Sequence, residues 1–145
     1  MNQIEKSPIH QTLDQERAKA AWEMATKAKA KMQKDDFDKY KALVKRFPAL
    51  VNHNGLGQTV AFLEAKKKDS NAEGKLLEQL NEWLVKNNRH EELNCYKPPY
   101  KSQGTSLSQC IMQRNSSDYI LATREALAFL DYLRRFADSL SKESQ

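Results

Sequence analysis

Glycine, proline, cysteine and aromatic residues are all scarce in this chain of 145 residues, which has four glycines, four prolines, two cysteines and 8% aromatic side chains. So little glycine and proline allows few tight turns, which argues against a β-sandwich or a β-barrel. The two cysteines, Cys95 and Cys110, are not in a CxxC spacing. The sequence therefore does not indicate a disulfide scaffold.

Long apolar runs are also absent. No segment approaches the roughly 18–20 consecutive apolar residues of a membrane span, and the N-terminal residues lack the apolar run and the cleavage site of a signal peptide. The length suits one compact domain over residues 1–145. We therefore expect a cytoplasmic, single-domain protein.

Charged residues, in contrast, are plentiful: they make up 30% of the chain, with a formal net charge of +5. The whole excess belongs to residues 1–69, because residues 70–145 contain as many acidic as basic side chains. A basic excess attracts polyanions such as nucleic acids, and an ordinary solvated surface explains it equally well.

Every strong periodicity in the sequence is helical. Thr12 and Gln15 have the spacing of a capping box, and alanines at steps of three and four follow, which predicts a helix over about 12–34 with Trp22 as the bulky anchor of its apolar face. The opposite face of this helix is basic. Its lysines are Lys19, Lys27, Lys31 and Lys34.

Proline and glycine divide the next part of the chain. Asp35 or Asp36 is expected to cap a second helix, and Pro48 to interrupt it, so that residues 48–51 form a separate short turn. The dipeptide Asn54-Gly55 predicts a sharp corner before a third helix.

The remaining elements complete a helical bundle. The third helix is expected over about 56–67, and the capping-box spacing of Ser70 and Glu73 starts a fourth. A long surface loop at about 88–104 precedes a short helix and a long, widely apolar last helix. The fold prediction is an all-α, single-domain bundle of five to six helices.

The sequence contains few residue spacings typical of a catalytic site. His10, His53 and His90 are far apart and fall in no metal-ligand spacing. We interpret His53 as a corner residue in preference to a general base, which needs a partner. We predict no catalytic residue, no metal site and no cofactor.

The segment from Asn54 to Thr59, NGLGQT, looks like a glycine-rich phosphate loop. It lacks the Gly-Lys-Ser/Thr ending of a P-loop, and no strand precedes it. We favour a structural role for its glycines, with a phosphate contact at the start of the helix, near Gly57, as the alternative.

Two segments resemble a known family. Residues 47–63, FPALVNHNGLGQTVAFL, and the C-terminal run of Tyr119, TREAL at 123–127 and YLRRFA at 132–137 resemble the small α-helical (fifth) subunit of the type III-B CRISPR effector, the Cmr complex. The resemblance extends over roughly the whole chain. Tyr132 stands where that family often has tryptophan.

The resemblance implies a non-catalytic scaffold for antiviral defence. Its copies would stack head to tail as a filament beside the backbone subunits and line the groove that holds the guide RNA–target RNA duplex. The implied partners are the other Cmr subunits, further copies of the chain, and both RNAs, with no membrane. Such a protein should contact phosphates, because pairing with the guide reads the sequence.

The positions of the basic residues in the sequence predict which side chains would contact RNA phosphates. They are Lys27, Lys31, Lys45, Arg46, Lys66, Lys67, Lys68, Arg134 and Arg135. For the interface between subunits we expect the flanking aromatics of the last helix, Phe129, Tyr132 and Phe136, and part of the first helix; the alternative is that these aromatics belong to the core.

Other functions remain as alternatives. The chain could be the small subunit of another CRISPR effector type, or a basic α-helical adaptor between proteins that makes no direct RNA contact. A hydrolase using His53 is the weakest alternative.

Overall fold

The helices begin and end close to where the sequence places their caps. The computed structural model describes residues 11–86, 93 and 106–143. Within these ranges the chain is all-α, without a strand, as predicted, and one π-helical turn, Glu82–Lys86, directly follows the fourth helix. The helices are α1 (Leu13–Lys31), α2 (Lys34–Asn54), α3 (Leu56–Lys66), α4 (Ala72–Asn81), α5 (Leu107–Met112) and α6 (Ser116–Glu143).

The long helix α6 is the centre of the bundle, and both α1 and α2 pack along it. Lys41 of α2 donates to the Ser141 hydroxyl at 3.0 Å, while Tyr119 at the other end of α6 meets Gly57 just beyond α2. Helices α2 and α6 therefore run antiparallel. The buried stripe of α6, which includes Leu130 and Leu133, faces its neighbours.

Helix α1 approaches α6 through small residues. The capping box of Thr12 and Gln15 forms as predicted, and the alanine face is buried at Ala21, Ala25 and Ala28. The prediction that Trp22 anchors this face is wrong. Trp22 lies at its edge, 42% exposed, with its ring edge-on to Phe136 at 5.3 Å between centroids.

Helix α2 continues through Pro48, so the predicted separate turn at residues 48–51 does not form. Proline cannot donate a hydrogen bond to the preceding turn of helix. The buried side chains on either side, Phe47 and Val51, keep this part of the helix packed against the core. The predicted caps also differ: Gln33 is the N-cap, and Asp35 and Asp36 lie in the first turn, where their charge favours the helix dipole.

The corner between α2 and α3 depends on Gly55. Its backbone has φ 86° and ψ 156°, a conformation essentially restricted to glycine. Tyr119 closes the corner, because its hydroxyl accepts a hydrogen bond from the Gly57 N–H at 3.1 Å. The Gly57 N–H is therefore engaged by the protein, which favours the structural role over the phosphate contact.

Most of the predicted loop at 88–104 lies outside the described residues. Leu93 is the exception: it is buried, and its carbonyl oxygen accepts a hydrogen bond from the Arg114 guanidinium. Cys110 is buried and disulfide-bonded, and the cysteine spacing did not indicate this bond.

We expect Gly55→Ala to lower the free energy of unfolding by about 1–3 kcal/mol, because alanine is strained at this positive φ. Its Cβ would also lie 3.3 Å from the Tyr119 hydroxyl oxygen. Gly57→Ala is the matched control, since a Cβ there would be 3.6 Å from the same oxygen, an ordinary contact, in a helical conformation. Urea unfolding of both variants measures the difference, and equal stabilities would contradict the role given to Gly55.

Candidate nucleic-acid interface

The basic residues predicted to contact RNA lie at several separate places on the surface. Apart from the half-buried Arg134, all of them are exposed. Two are on α1, two on α2, three at the end of α3 and two on α6. In that order they are Lys27 and Lys31, Lys45 and Arg46, Lys66 to Lys68, and Arg134 and Arg135.

The three consecutive lysines lie on the connection from α3 to α4, residues 66–71, which we call the lysine turn. The predicted cap at Ser70 is wrong: Asn71 caps α4 and accepts from the Gly74 N–H at 2.8 Å. Ser70 instead has a positive φ of 68°. An N-cap residue typically adopts the β region, and Asn71, with φ −87° and ψ 170°, has that conformation.

Asn71 also fixes the lysine turn from inside. Its side-chain oxygen accepts from the Lys68 N–H at 3.1 Å, and its side-chain nitrogen donates to the Lys66 carbonyl at 2.9 Å. The turn packs so closely on α4 that a Cβ at Gly74 would lie 2.7 Å from the Lys68 carbonyl oxygen. No ion pair involves the ammonium groups of the lysine turn within the described residues. A rigid backbone thus presents three cations to solvent.

A groove of about 770 Å³ between α1 and α4 includes Lys27 and Lys31. Its cations are balanced by as many carboxylates, which weakens any attraction for a polyanion. The charged residues along it are Lys19, Lys27, Lys31 and Lys75 with Glu16, Glu23, Glu78 and Glu82.

A second groove, of about 510 Å³, lies between the C-terminal half of α2 and α3. Arg46 lines it, and none of the acidic residues that the structure describes does. Indeed, residues 39–63 contain no aspartate or glutamate. The other lining residues are Leu50, His53, Asn54, Gln58, Thr59 and Phe62. We call this the α2–α3 groove.

The two predicted phosphate contacts on α6, Arg134 and Arg135, form ion pairs. Arg134 contacts the Asp131 carboxylate at 2.8 Å, and Arg135 approaches the same oxygen at 3.7 Å. Both pairs are solvent-exposed and therefore weak. Asp131 thus pairs with both arginines, whereas the lysines of the lysine turn, which also contains Asp69, form no ion pair among the described residues.

The predicted interface aromatics divide into two groups. Phe129 is 0% exposed and stacks on Trp83 at 5.8 Å, so it belongs to the core and is unavailable to a neighbouring subunit. Tyr132 and Phe136 are half-buried and stack on each other at 5.9 Å. With Trp22 they form a surface cluster on α1 and α6, which we call the aromatic patch.

Comparison with known proteins bears on what these surfaces do. The family model of the CRISPR-associated protein Cmr5 matches residues 13–140 of this chain. The chain belongs to the Cmr5 family. The crystal structure of a CRISPR-associated Cmr5 family protein from Thermus thermophilus is 25% identical and has a TM-score of 0.67, with 90% of this chain and 98% of that chain covered. The resemblance noted in the sequence is confirmed, and Cmr5 membership supports a subunit of a type III-B CRISPR Cmr complex.

Sequence reasoning missed the most strongly bonded side chain of this Cmr5-family protein, Glu125. Its carboxylate is buried and accepts from Arg17 Nε at 2.6 Å, Arg17 Nη2 at 2.9 Å and Trp83 Nε1 at 2.8 Å. The hydrogen bonds that Arg17 donates to the Glu125 carboxylate raise the pKa of Arg17. The sequence did contain a signal for this buried carboxylate: Glu125 is a charged residue within the apolar stripe around Ala122, Ala126 and Phe129.

In the part of the chain that the structure describes, the remaining chemical groups do not form a catalytic constellation. His53 is exposed, and none of the side-chain hydrogen bonds of the described residues involves its ring. Among residues 11–86, 93 and 106–143, no group of three His, Cys, Asp or Glu side chains could hold a metal ion. In the same ranges no helix is both long and apolar enough to span a bilayer.

We expect Asn71→Ala to loosen the lysine turn and to lower the free energy of unfolding by roughly 0.5–2 kcal/mol, the usual cost of losing an N-cap. Asn71→Asp is the matched variant, because it keeps the acceptor for Lys68 and Gly74 and loses only the donor to Lys66. Amide exchange at Lys68 and Gly74 should therefore accelerate in the alanine variant alone. Equal acceleration in both variants would contradict this account.

Proposed function

We propose that this Cmr5-family chain is the non-catalytic small subunit of a type III-B Cmr RNA-targeting effector that serves antiviral defence. Its copies stack head to tail beside the backbone subunits and line the groove that holds the guide RNA–target RNA duplex. The observation that carries this proposal is the lysine turn, where three lysines with no ion pair among the described residues stand on a backbone fixed by Asn71.

The chemistry of the lysine turn suits contact with RNA phosphates. An ammonium group on a flexible stem follows a phosphate wherever the backbone places it, and it reads no base. That property matches an effector in which the guide supplies sequence specificity. The helix dipole explains a lysine at the last position of α3, Lys66, but Lys67 and Lys68 lie beyond that helix.

Weak contacts from one copy suffice when several copies act together. Linked copies engage the same RNA at a high effective concentration, so each needs only a few phosphate contacts. This requires a surface on each end of the subunit through which copies join. A contact between two unlike faces gives an open array, whereas a contact between like faces closes as a dimer.

Two unlike apolar surfaces lie toward opposite ends of α6. One is the aromatic patch, with Trp22 42% exposed. The other lies at the junction of α5 and α6, where Met112 is 74% and Ile120 52% exposed. From Ile120 to Phe136 the helix rises by about 24 Å. We assign these two surfaces to the head-to-tail contact.

The triple variant Lys66→Ala/Lys67→Ala/Lys68→Ala should weaken retention of target RNA by the assembled complex without unfolding the subunit. Each lost phosphate contact on single-stranded RNA lowers the slope of log K against log salt by about 0.7, so three contacts account for about 2. Filter binding of the reconstituted Cmr complex from low to high salt measures this slope.

The control for this experiment removes the same charge elsewhere. Lys34, Lys39 and Lys86 are exposed and belong to none of the predicted contacts; alanine at all three should leave the slope unchanged. An identical slope for the lysine-turn variant and the wild type would remove these lysines from the proposal. Equal losses in both triple variants would indicate attraction by net charge alone, as for the basic adaptor.

The stacking proposal is tested by blocking one end at a time. Trp22→Glu blocks the aromatic patch, and Met112→Glu/Ile120→Glu blocks the other surface. Complexes reconstituted with either variant alone should contain one copy of the subunit by native mass spectrometry, where the wild type gives more than one. All of these side chains are well exposed, so circular dichroism should show intact folding.

A mixture of the two variants separates the possible geometries. The intact aromatic patch of one variant can meet the intact Met112 and Ile120 surface of the other, so the mixture should restore a second copy and no third. An unchanged copy number in each variant alone would refute the assignment of these surfaces. More than one copy of the subunit in complexes reconstituted with Trp22→Glu alone would indicate that the copies join through two like faces.

A further inference from the structure

We propose that the α2–α3 groove binds one unpaired nucleotide of RNA, with its base against Phe62 and Leu50 and its phosphate at Arg46. This inference rests on the proposed RNA-binding function and adds a contact that phosphate-binding lysines do not make. The groove is separate from the lysine turn.

Helix periodicity explains how the groove is built. Arg46, Leu50 and Asn54 recur at steps of four on α2, and His53 completes the same face. Gln58 and Phe62, also four apart, form the facing stripe of α3. The turn at Gly55 brings the two stripes together, with the half-buried Leu50 and Phe62 as the apolar floor.

The polar side chains of the groove are available to a ligand. Arg46, His53, Asn54 and Gln58 take part in no side-chain hydrogen bond or ion pair among the described residues. Thr59 differs, because its hydroxyl is already engaged with the carbonyls of Gly55 at 2.6 Å and Leu50 at 3.3 Å.

These groups match the parts of a nucleotide. A guanidinium binds phosphate through two parallel hydrogen bonds, and the amides of Asn54 and Gln58 each donate and accept, as the edge of a base requires. An aromatic ring such as that of Phe62 stacks on any base. The volume of about 510 Å³ lies within the usual range for a small-ligand site.

Charge distinguishes this groove from the one between α1 and α4. That larger groove carries four glutamates, which repel a phosphate, whereas the α2–α3 groove has none. This difference in charge favours an anionic ligand in the α2–α3 groove.

The base must be unpaired to enter. Bases within a duplex are stacked on both faces and expose only their edges, so Phe62 can meet only a base that has left the stack. The groove should therefore prefer single-stranded RNA, or a duplex with a displaced nucleotide, over a continuous duplex. Because every base has a π face, we expect little preference among sequences.

The first test uses the full-length chain with three probes: a short single-stranded RNA, a blunt RNA duplex and adenosine monophosphate. Arg46→Gln and Phe62→Leu should each weaken binding of the single strand by about tenfold, the size of a lost stacking or phosphate contact. Lys39→Gln, which removes one exposed charge on the same helix outside the groove, should not. Phe62→Leu should leave duplex binding unchanged, and circular dichroism checks its folding.

The outcomes distinguish the sources of the ligand. Equal effects of Phe62→Leu on the single strand and the duplex would overturn the proposal, as would binding of the single strand unaffected by both groove variants. Binding of adenosine monophosphate lost in Arg46→Gln, without binding of the oligonucleotide, would assign the groove to free nucleotides and overturn the RNA proposal. Absence of binding by all three probes would overturn it as well.

A second measurement, on the assembled Cmr complex, separates this inference from the proposed function. A target RNA with one displaced 5-iodouridine should photocross-link to the segment 46–62, and Phe62→Leu should abolish that cross-link. RNA retention with no cross-link in this segment would refute the groove and leave the scaffold function intact. Loss of RNA retention by the wild-type complex would refute the scaffold function itself.

Discussion

The buried carboxylate of Glu125 is the constraint on which the arrangement of α1 and α6 depends. Burying an ionised carboxylate costs several kcal/mol unless charge and hydrogen bonds compensate it. Arg17 of α1 and Trp83 of the π-helical turn provide that compensation. Because the bonds are short and directional, α1 has one position along α6. The same position brings Trp22, five residues after Arg17 on α1, next to Phe136, so the aromatic patch follows from the same arrangement of α1 on α6.

A second buried polar contact determines where α4 lies, and through it the lysine turn. Gln79 accepts from the Tyr40 hydroxyl at 2.6 Å and donates to the Met24 carbonyl at 3.1 Å. Burial in this contact raises the pKa of Tyr40. A buried amide left without these partners would be destabilising, so α4 is held against both α1 and α2. Asn71, the N-cap of α4, then fixes the lysine turn relative to α4 through its hydrogen bonds to the backbone of Lys66 and Lys68.

Periodicity was sufficient to predict the helices because each buries a stripe of side chains at steps of three and four, and that requirement is local. The predictions were wrong where a contact between residues far apart in the sequence determines the local structure or the burial of a side chain. Pro48 is tolerated inside α2 because Phe47 and Val51 pack on other helices, and Phe129 is inaccessible because Trp83 covers it. The exposure of the lysines was predictable from charge. The α2–α3 groove was not, since it requires two stripes to meet across a corner.

The pairing of charges determines which part of the basic surface suits the proposed contact with RNA. Lys27 and Lys31 of α1 share their groove with glutamates, and Arg134 and Arg135 of α6 share Asp131. Residues 39–63 have no acidic side chain, and the lysine turn follows soon after them along the chain. Of the predicted phosphate contacts, those that form no ion pair among the described residues and share no groove with glutamates are therefore Lys45 and Arg46 of α2 and the three lysines of the lysine turn. Glu125 and Gln79 lie in the core, so the buried contacts that position the helices do not use these cationic side chains.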